Sequence, residues 1–113
     1  MTRAELIAAL EKATADQQAT VLADAIRFAR DTGLIDRERA AEAFNWIAYG
    51  AYESAALTLV PEGHEWLRKS HLSMTVYRVP DDDKTWVHHI DGAHKLPAIA
   101  LCIAALKAQG DGA

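Results

Sequence analysis

The sequence predicts an α+β domain in which N-terminal helices and a C-terminal helix pack on the faces of a small antiparallel β-meander of two to three strands. Three patterns predict it: helical spacing of apolar residues up to residue 60, strand-type residues over 64–90, and an apolar closing segment at 96–109. With 113 residues, half of them apolar, the chain has the size of one domain. We therefore expect a single domain over residues 1–113.

The helical part carries the sequence signals of helix starts. Thr2-Arg3-Ala4-Glu5 has the pattern of a capping box, and a similar box spans Thr14–Gln17. Asp36 is expected to cap a third helix. Gly50 is expected to kink that helix before the apolar pattern resumes over Tyr52–Val60, and the Pro-Glu-Gly that follows ends it.

Two segments after residue 63 are rich in residues that favour strands, His64–Ser70 and Leu72–Val79. Pro80–Lys84 follows as a polar turn. The acidic run Asp81–Asp83 inside this turn lacks the spacing of a calcium-binding loop, so we interpret it as solvated turn residues.

A third strand is predicted at Thr85–Ile90. Trp86 and Ile90 lie on one of its faces and Val87 on the other, which predicts a sheet that is covered on both sides. Asp91-Gly92 has the composition of a turn and is expected to end the strand.

The closing helix, Leu96–Gln109, is predicted to be buried. Ala98–Leu106 contains no polar residue, and a helix that is apolar all round has to be covered all round. Pro97 suits the first helical turn because its missing N–H is not needed there. The single cysteine, Cys102, has no disulfide partner in the chain, and Met1–Leu10 lacks the pattern of a secretory signal; both favour a cytoplasmic location.

The net charge and the length of the longest apolar run argue against two classes of partner. A net charge of −4 and a pI near 5.7 do not suit a protein that neutralises nucleic-acid phosphates. The longest uncharged apolar run, Leu96–Leu106, is shorter than the roughly 20 residues of a spanning helix. We therefore expect neither nucleic acid nor a membrane as a partner.

Two motifs resemble one known family. Tyr52–Gly63, with Trp66 after it, is similar to the "ALALVPEG…W" signature of phage proteins with the ABA-sandwich domain, and Leu96–Ala108 is similar to that family's "TPALALCAAALRA" helix. The resemblance covers about half of the chain and implies a small phage or prophage protein with helices packed on a sheet and no assigned activity. The family's usual Thr before the proline is Leu96 here, so we expect the Asp91–Lys95 loop to supply the capping group.

One constellation could carry chemistry. His88, Asp91 and His94 would converge on a metal only if the chain folded back at Gly92. The simpler interpretation is that these histidines bond to backbone or solvent. The sequence has no nucleophile elbow and no glycine-rich phosphate loop. We therefore predict no catalytic residue, no cofactor and no metal. The alternative is a metal-dependent or hydrolytic enzyme centred on these three residues.

The predicted function is the binding of another protein, either a phage particle component or a host defence or regulatory factor. Aromatic residues and arginine are the usual anchors of protein interfaces. The candidate partner-binding residues are Tyr49, Tyr52, Arg68, Arg78 and Trp86. A further alternative is a purely structural homo-oligomer, such as a dimer with Ala98–Leu106 or the Tyr49–Tyr52 region at its two-fold axis.

Overall fold

The computed structural model describes residues 2–78 and 89–111; for residues 110 and 111 it describes the backbone only. These residues form five helices and a three-stranded antiparallel sheet, which confirms the predicted α+β class. The elements are α1 (Arg3–Lys12), a 3₁₀ turn (Ala15–Gln17), α2 (Gln18–Asp31), α3 (Arg37–Ala48), α4 (Tyr52–Leu57), β1 (His64–Ser70), β2 (Ser73–Arg78), β3 (His89–Ala93) and α5 (Pro97–Asp111).

The helix starts follow the local signals. Thr2 Oγ1 accepts from the Glu5 N–H at 3.1 Å, and the Glu5 side chain accepts from the Thr2 N–H at 3.4 Å. Asp36 Oδ1 accepts from the Arg39 N–H at 2.7 Å. At Gly50, where φ is +76°, the chain breaks into two helices instead of kinking one. Only glycine adopts this left-handed conformation without strain.

The sheet has the order β1-β2-β3. Val76 in the central strand lies opposite Trp66 on one side and opposite Ile90 on the other. The third strand continues through Asp91 and Gly92, so the predicted turn at these residues is wrong. Most of the segment predicted as the third strand, residues 85–88, lies outside the described residues.

Gly92 has a packing role within the continued strand. A Cβ atom there would lie 2.1 Å from the backbone oxygen of Ala100 and 2.6 Å from the backbone nitrogen of Ala104, both in α5. The absence of a side chain thus lets the backbone of β3 approach the helix backbone directly.

Helix α5 is the centre of the fold. Every residue from Ala98 to Leu106 is buried, as predicted. On one side α5 packs against β2 and β3, and on its other sides it packs against α1, α2 and α4. Coverage of the second face of the sheet was predicted from Trp86 and Val87, which lie outside the described residues.

The strands have two distinct faces. The inner face points towards α5 and includes Gly92. Residues that lie directly opposite each other share a face, so Met74 lies on the inner face with Gly92. The neighbouring set of opposite residues on this face is Trp66, Val76 and Ile90. The outer face carries the residues between them, among which are Glu65, Leu67, Thr75, Tyr77 and Asp91. In β1 all residues from Glu65 to Ser70 are exposed, and β2 is the only described element against which this strand packs extensively.

We expect Gly92→Ala to lower the free energy of unfolding by about 3 kcal/mol, because the new methyl group would overlap backbone atoms that cannot rotate away. Urea denaturation followed by circular dichroism measures this change. Ala93→Ser is the matched control, since Ala93 is exposed and adjacent. Equal stability of the two variants would contradict the close contact.

Candidate functional site

Asp91 lies on the outer face and bonds within the sheet. Its Oδ2 accepts a hydrogen bond from Lys69 Nζ at 2.7 Å, and its other oxygen accepts from the hydroxyl of the buried Thr75. The hydrogen bonds from Lys69 and then Thr75 hold the pKa of Asp91 below its ordinary value. This carboxylate is therefore a charged group that links β3 to β1 across the central strand.

His94 caps the first turn of α5. Its Nδ1 accepts from the Leu96 N–H at 2.9 Å, and its Nε2 lies 2.9 Å from the carbonyl oxygen of Ala13. An amide can only donate and a carbonyl can only accept, so the neutral ring carries its proton on Nε2. The predicted capping group therefore does come from the Asp91–Lys95 segment, at His94, although Asp91–Ala93 belong to β3 and not to a loop.

The two candidate metal ligands that the structure describes, Asp91 and His94, take part in separate sets of hydrogen bonds. Asp91 bonds across the outer face, whereas both ring nitrogens of His94 are bonded to the end of α1 and the start of α5. His88, the third candidate, lies outside the described residues. Within residues 2–78 and 89–111, no three His, Cys, Asp or Glu side chains are placed to hold a metal ion.

The candidate partner-binding residues divide between two parts of the molecule. Tyr49 ends α3 and is 85% exposed, while Tyr52 begins α4 and packs partly against the core. Arg68 and Arg78 are exposed on the inner face of β1 and β2. Trp86 lies outside the described residues. The four described residues thus belong to a helical surface and a sheet surface.

Strand β1 exposes apolar residues that are not among the candidate partner-binding residues predicted from the sequence. Trp66 is 41% exposed and its neighbour Leu67 is 39% exposed, although successive side chains of a strand point to opposite faces. Leu72, in the turn between β1 and β2, is 50% exposed. Both sides of this strand are therefore open, and two cations, Arg68 and Lys69, follow the apolar pair. We call these five residues, Trp66–Lys69 and Leu72, the β1 surface.

Glu65 supplies the negative charge at the beginning of the strand. It accepts a hydrogen bond from the Tyr77 hydroxyl at 3.0 Å, and this bond is the main reason that the pKa of Tyr77 is raised. Tyr77 also stacks on His89, with 5.3 Å between ring centroids. The sequence signal that could have revealed this site is the run Glu-Trp-Leu-Arg-Lys, which lacks polar–apolar alternation and places cations in a strand, as edge strands do.

No family model, curated protein or solved structure matches the chain. The resemblance to the phage ABA-sandwich family stays a prediction from its two motifs. Among the described helices, none has the length and apolar character that a membrane span requires.

We expect His94→Ala to lower the free energy of unfolding by about 1–2 kcal/mol, because the Leu96 N–H and the Ala13 carbonyl both lose a partner. His94→Asn should recover part of this loss, since its side-chain oxygen is placed to accept from Leu96. Thermal and urea denaturation provide the comparison. An alanine variant as stable as the wild type would refute the cap.

We expect Asp91→Asn to make the stability of the fold less dependent on pH. Because the pKa of Asp91 is lowered in the folded chain, its ionised form stabilises the fold above the ordinary pKa, and this contribution disappears as pH falls through the lowered value. Urea titrations at several pH values should show a wild-type advantage near neutrality that vanishes in acid. Glu11→Gln, which removes one exposed carboxylate from α1, is the control.

Proposed function

We propose that this chain acts by binding another protein through the β1 surface, without catalysis. The observation that carries the proposal is the exposure of Trp66 and Leu67, two adjacent large apolar side chains on opposite faces of an edge strand. Residues of this kind are normally buried, and an interface that covers them gains roughly 25 cal/mol for each Å² of apolar area removed from water.

An edge strand also offers its backbone. Among the described strands β1 pairs with β2 alone, and a partner that adds a strand to its other side would complete the hydrogen bonds there. Tryptophan and arginine are the residues that contribute most often to binding energy, and Trp66 and Arg68 lie two positions apart on the inner face. The cations Arg68 and Lys69 favour a partner segment with acidic as well as apolar side chains.

The strand has features that make pairing selective. Its register with β2 shifts between Arg68 and Ser70, and Lys69 lies at this irregularity. Charged residues and bulges at sheet edges are the usual means by which proteins limit uncontrolled strand addition. The β1 surface is therefore better suited to a partner of defined sequence than to unspecific association.

The biological setting follows from the sequence motifs and stays a proposal. On the resemblance to the phage family, the chain is a phage or prophage accessory protein in the host cytoplasm, and its partner is a component of the phage particle or a host defence or regulatory factor. The arrangement of Asp91 and His94 described above gives no reason to prefer the enzymatic alternative.

We expect the double substitution Trp66→Ala, Leu67→Ala to weaken capture of the partner from host lysate at least tenfold, because it removes the largest apolar side chains of the surface. Captured proteins are quantified by mass spectrometry, and circular dichroism checks the fold. Tyr49→Ala is the control, since it removes an exposed aromatic ring from the helical surface. Equal capture by all three chains would argue against the β1 surface.

A further inference from the structure

We propose that the partner at the β1 surface is a second copy of this chain, paired β1 to β1 in antiparallel orientation about a two-fold axis through Leu67. The two three-stranded sheets would then form one sheet of six strands. This inference rests on the proposed function, because it keeps the β1 surface as the binding site, and it assigns that surface a second copy as its occupant in place of a phage or host factor.

The sequence of β1 is complementary to itself about Leu67. An antiparallel pairing centred there places Leu67 opposite Leu67, Trp66 opposite Arg68 of the second copy, and Glu65 opposite Lys69 of the second copy. Each unlike pair occurs twice by symmetry, so one interface contains two Trp–Arg and two Glu–Lys pairs. Cross-strand pairs of unlike charges, and of an aromatic ring with a cation, are stabilising.

The two faces of the strand agree with this pairing. Glu65 and Leu67 belong to the outer face by their pairing with β2. Lys69 lies at the register shift, and its side chain reaches Asp91 on the same face. Trp66 and Arg68 belong to the inner face. A two-fold axis perpendicular to the sheet keeps the outer faces of the two copies on the same side. The Glu–Lys pairs therefore form on the outer face and the Trp–Arg pairs on the inner face.

Neighbouring registers are less favourable. An axis through Trp66 would place Leu67 opposite Glu65 and Arg68 opposite His64. An axis through Arg68 would place two arginines opposite each other and Lys69 opposite Leu67. Like charges directly opposite are destabilising. The register centred on Leu67 is the one of these three that pairs unlike charges and apolar side chains together.

The bonds within each copy do not prevent the pairing. Lys69 already bonds to Asp91, and Glu65 already bonds to Tyr77. An ammonium group has three N–H donors and a carboxylate has about four acceptor sites, so each group keeps its partner while it gains another. The side chains of Lys69 and Asp91 are 57% and 42% exposed, which leaves them accessible.

The size of the interface determines the strength of the dimer. Seven residues of strand extend about 24 Å, and a contact of this length buries less than the roughly 1,200–2,000 Å² of a stable interface. We therefore expect a weak, reversible dimer. Its population should increase with protein concentration.

The first test uses charge reversal and analytical ultracentrifugation. The wild-type mass should rise from 12.4 kDa towards twice that value with concentration. Glu65→Lys alone and Lys69→Glu alone should each be monomeric, because each places like charges opposite across the axis. An equimolar mixture should dimerise again, since every Lys then faces a Glu. A wild-type mass that does not change with concentration, or a mixture that stays monomeric, would overturn the proposal.

The second test measures the register. Under mild oxidation Leu67→Cys should form a disulfide-linked dimer, because residue 67 faces itself at the axis. Glu65→Cys should not, because two copies of residue 65 are four positions apart, about 14 Å. Cys102 does not compete, since it is fully buried. Equal cross-linking of the two variants, or none in either, would contradict the register.

The two proposals can fail separately. The wild type could be monomeric and still capture another protein that the Trp66→Ala, Leu67→Ala variant does not capture. That result would support the β1 surface as a binding site and exclude the second copy as its occupant. A monomer whose capture of other proteins is unaffected by these substitutions would remove both. Circular dichroism of each variant confirms that the comparison is made on folded protein.

Discussion

Helix α5 is apolar on every side between Ala98 and Leu106, and every one of these residues is buried. The need to cover this helix on all sides organises the fold. The helix satisfies its own backbone hydrogen bonds, so its apolar surface can be enclosed by any elements that fit closely. Strands β2 and β3 cover one side, and α1, α2 and α4 cover the others. The closest approach is at Gly92, where the strand backbone meets the backbone of α5 at Ala100 and Ala104.

Polar side chains fix the helix where apolar packing alone would allow it to slide. At its start, His94 accepts from Leu96 and reaches the Ala13 carbonyl at the end of α1. Near its end, Gln109 Nε2 donates to the Leu59 carbonyl at 2.6 Å. The first bond joins His94, which precedes α5, to the carbonyl that follows α1, and the second joins α5 to a carbonyl that follows α4. The apolar surface of α5 supplies most of the driving force, while these bonds determine its position along the axis.

The sequence predicted the features that depend on neighbouring residues and missed those that depend on distant ones. The cap at Asp36 and the burial of Ala98–Leu106 follow from short patterns, and both were correct. Asp91-Gly92 has turn composition, but these two residues pair with Thr75 and Met74 of β2, and Gly92 packs against α5. That continuation places Asp91 and His94 in separate bonding networks. No local pattern could have shown that α5 would cover β2 and β3 but leave β1 open, so Trp66 was not selected as a site residue.

The exposure of β1 follows from the width of one helix. An α-helix with its side chains is about 10–12 Å across, and adjacent strands lie about 4.8 Å apart, so a single helix covers roughly two strands. The contact at Gly92 places α5 over β3 and the adjoining β2. In the part of the chain that the structure describes, β1 therefore extends beyond the reach of the helix with Trp66 on its inner face. The glycine that allows the core to close thus also determines which of the described strands stays exposed.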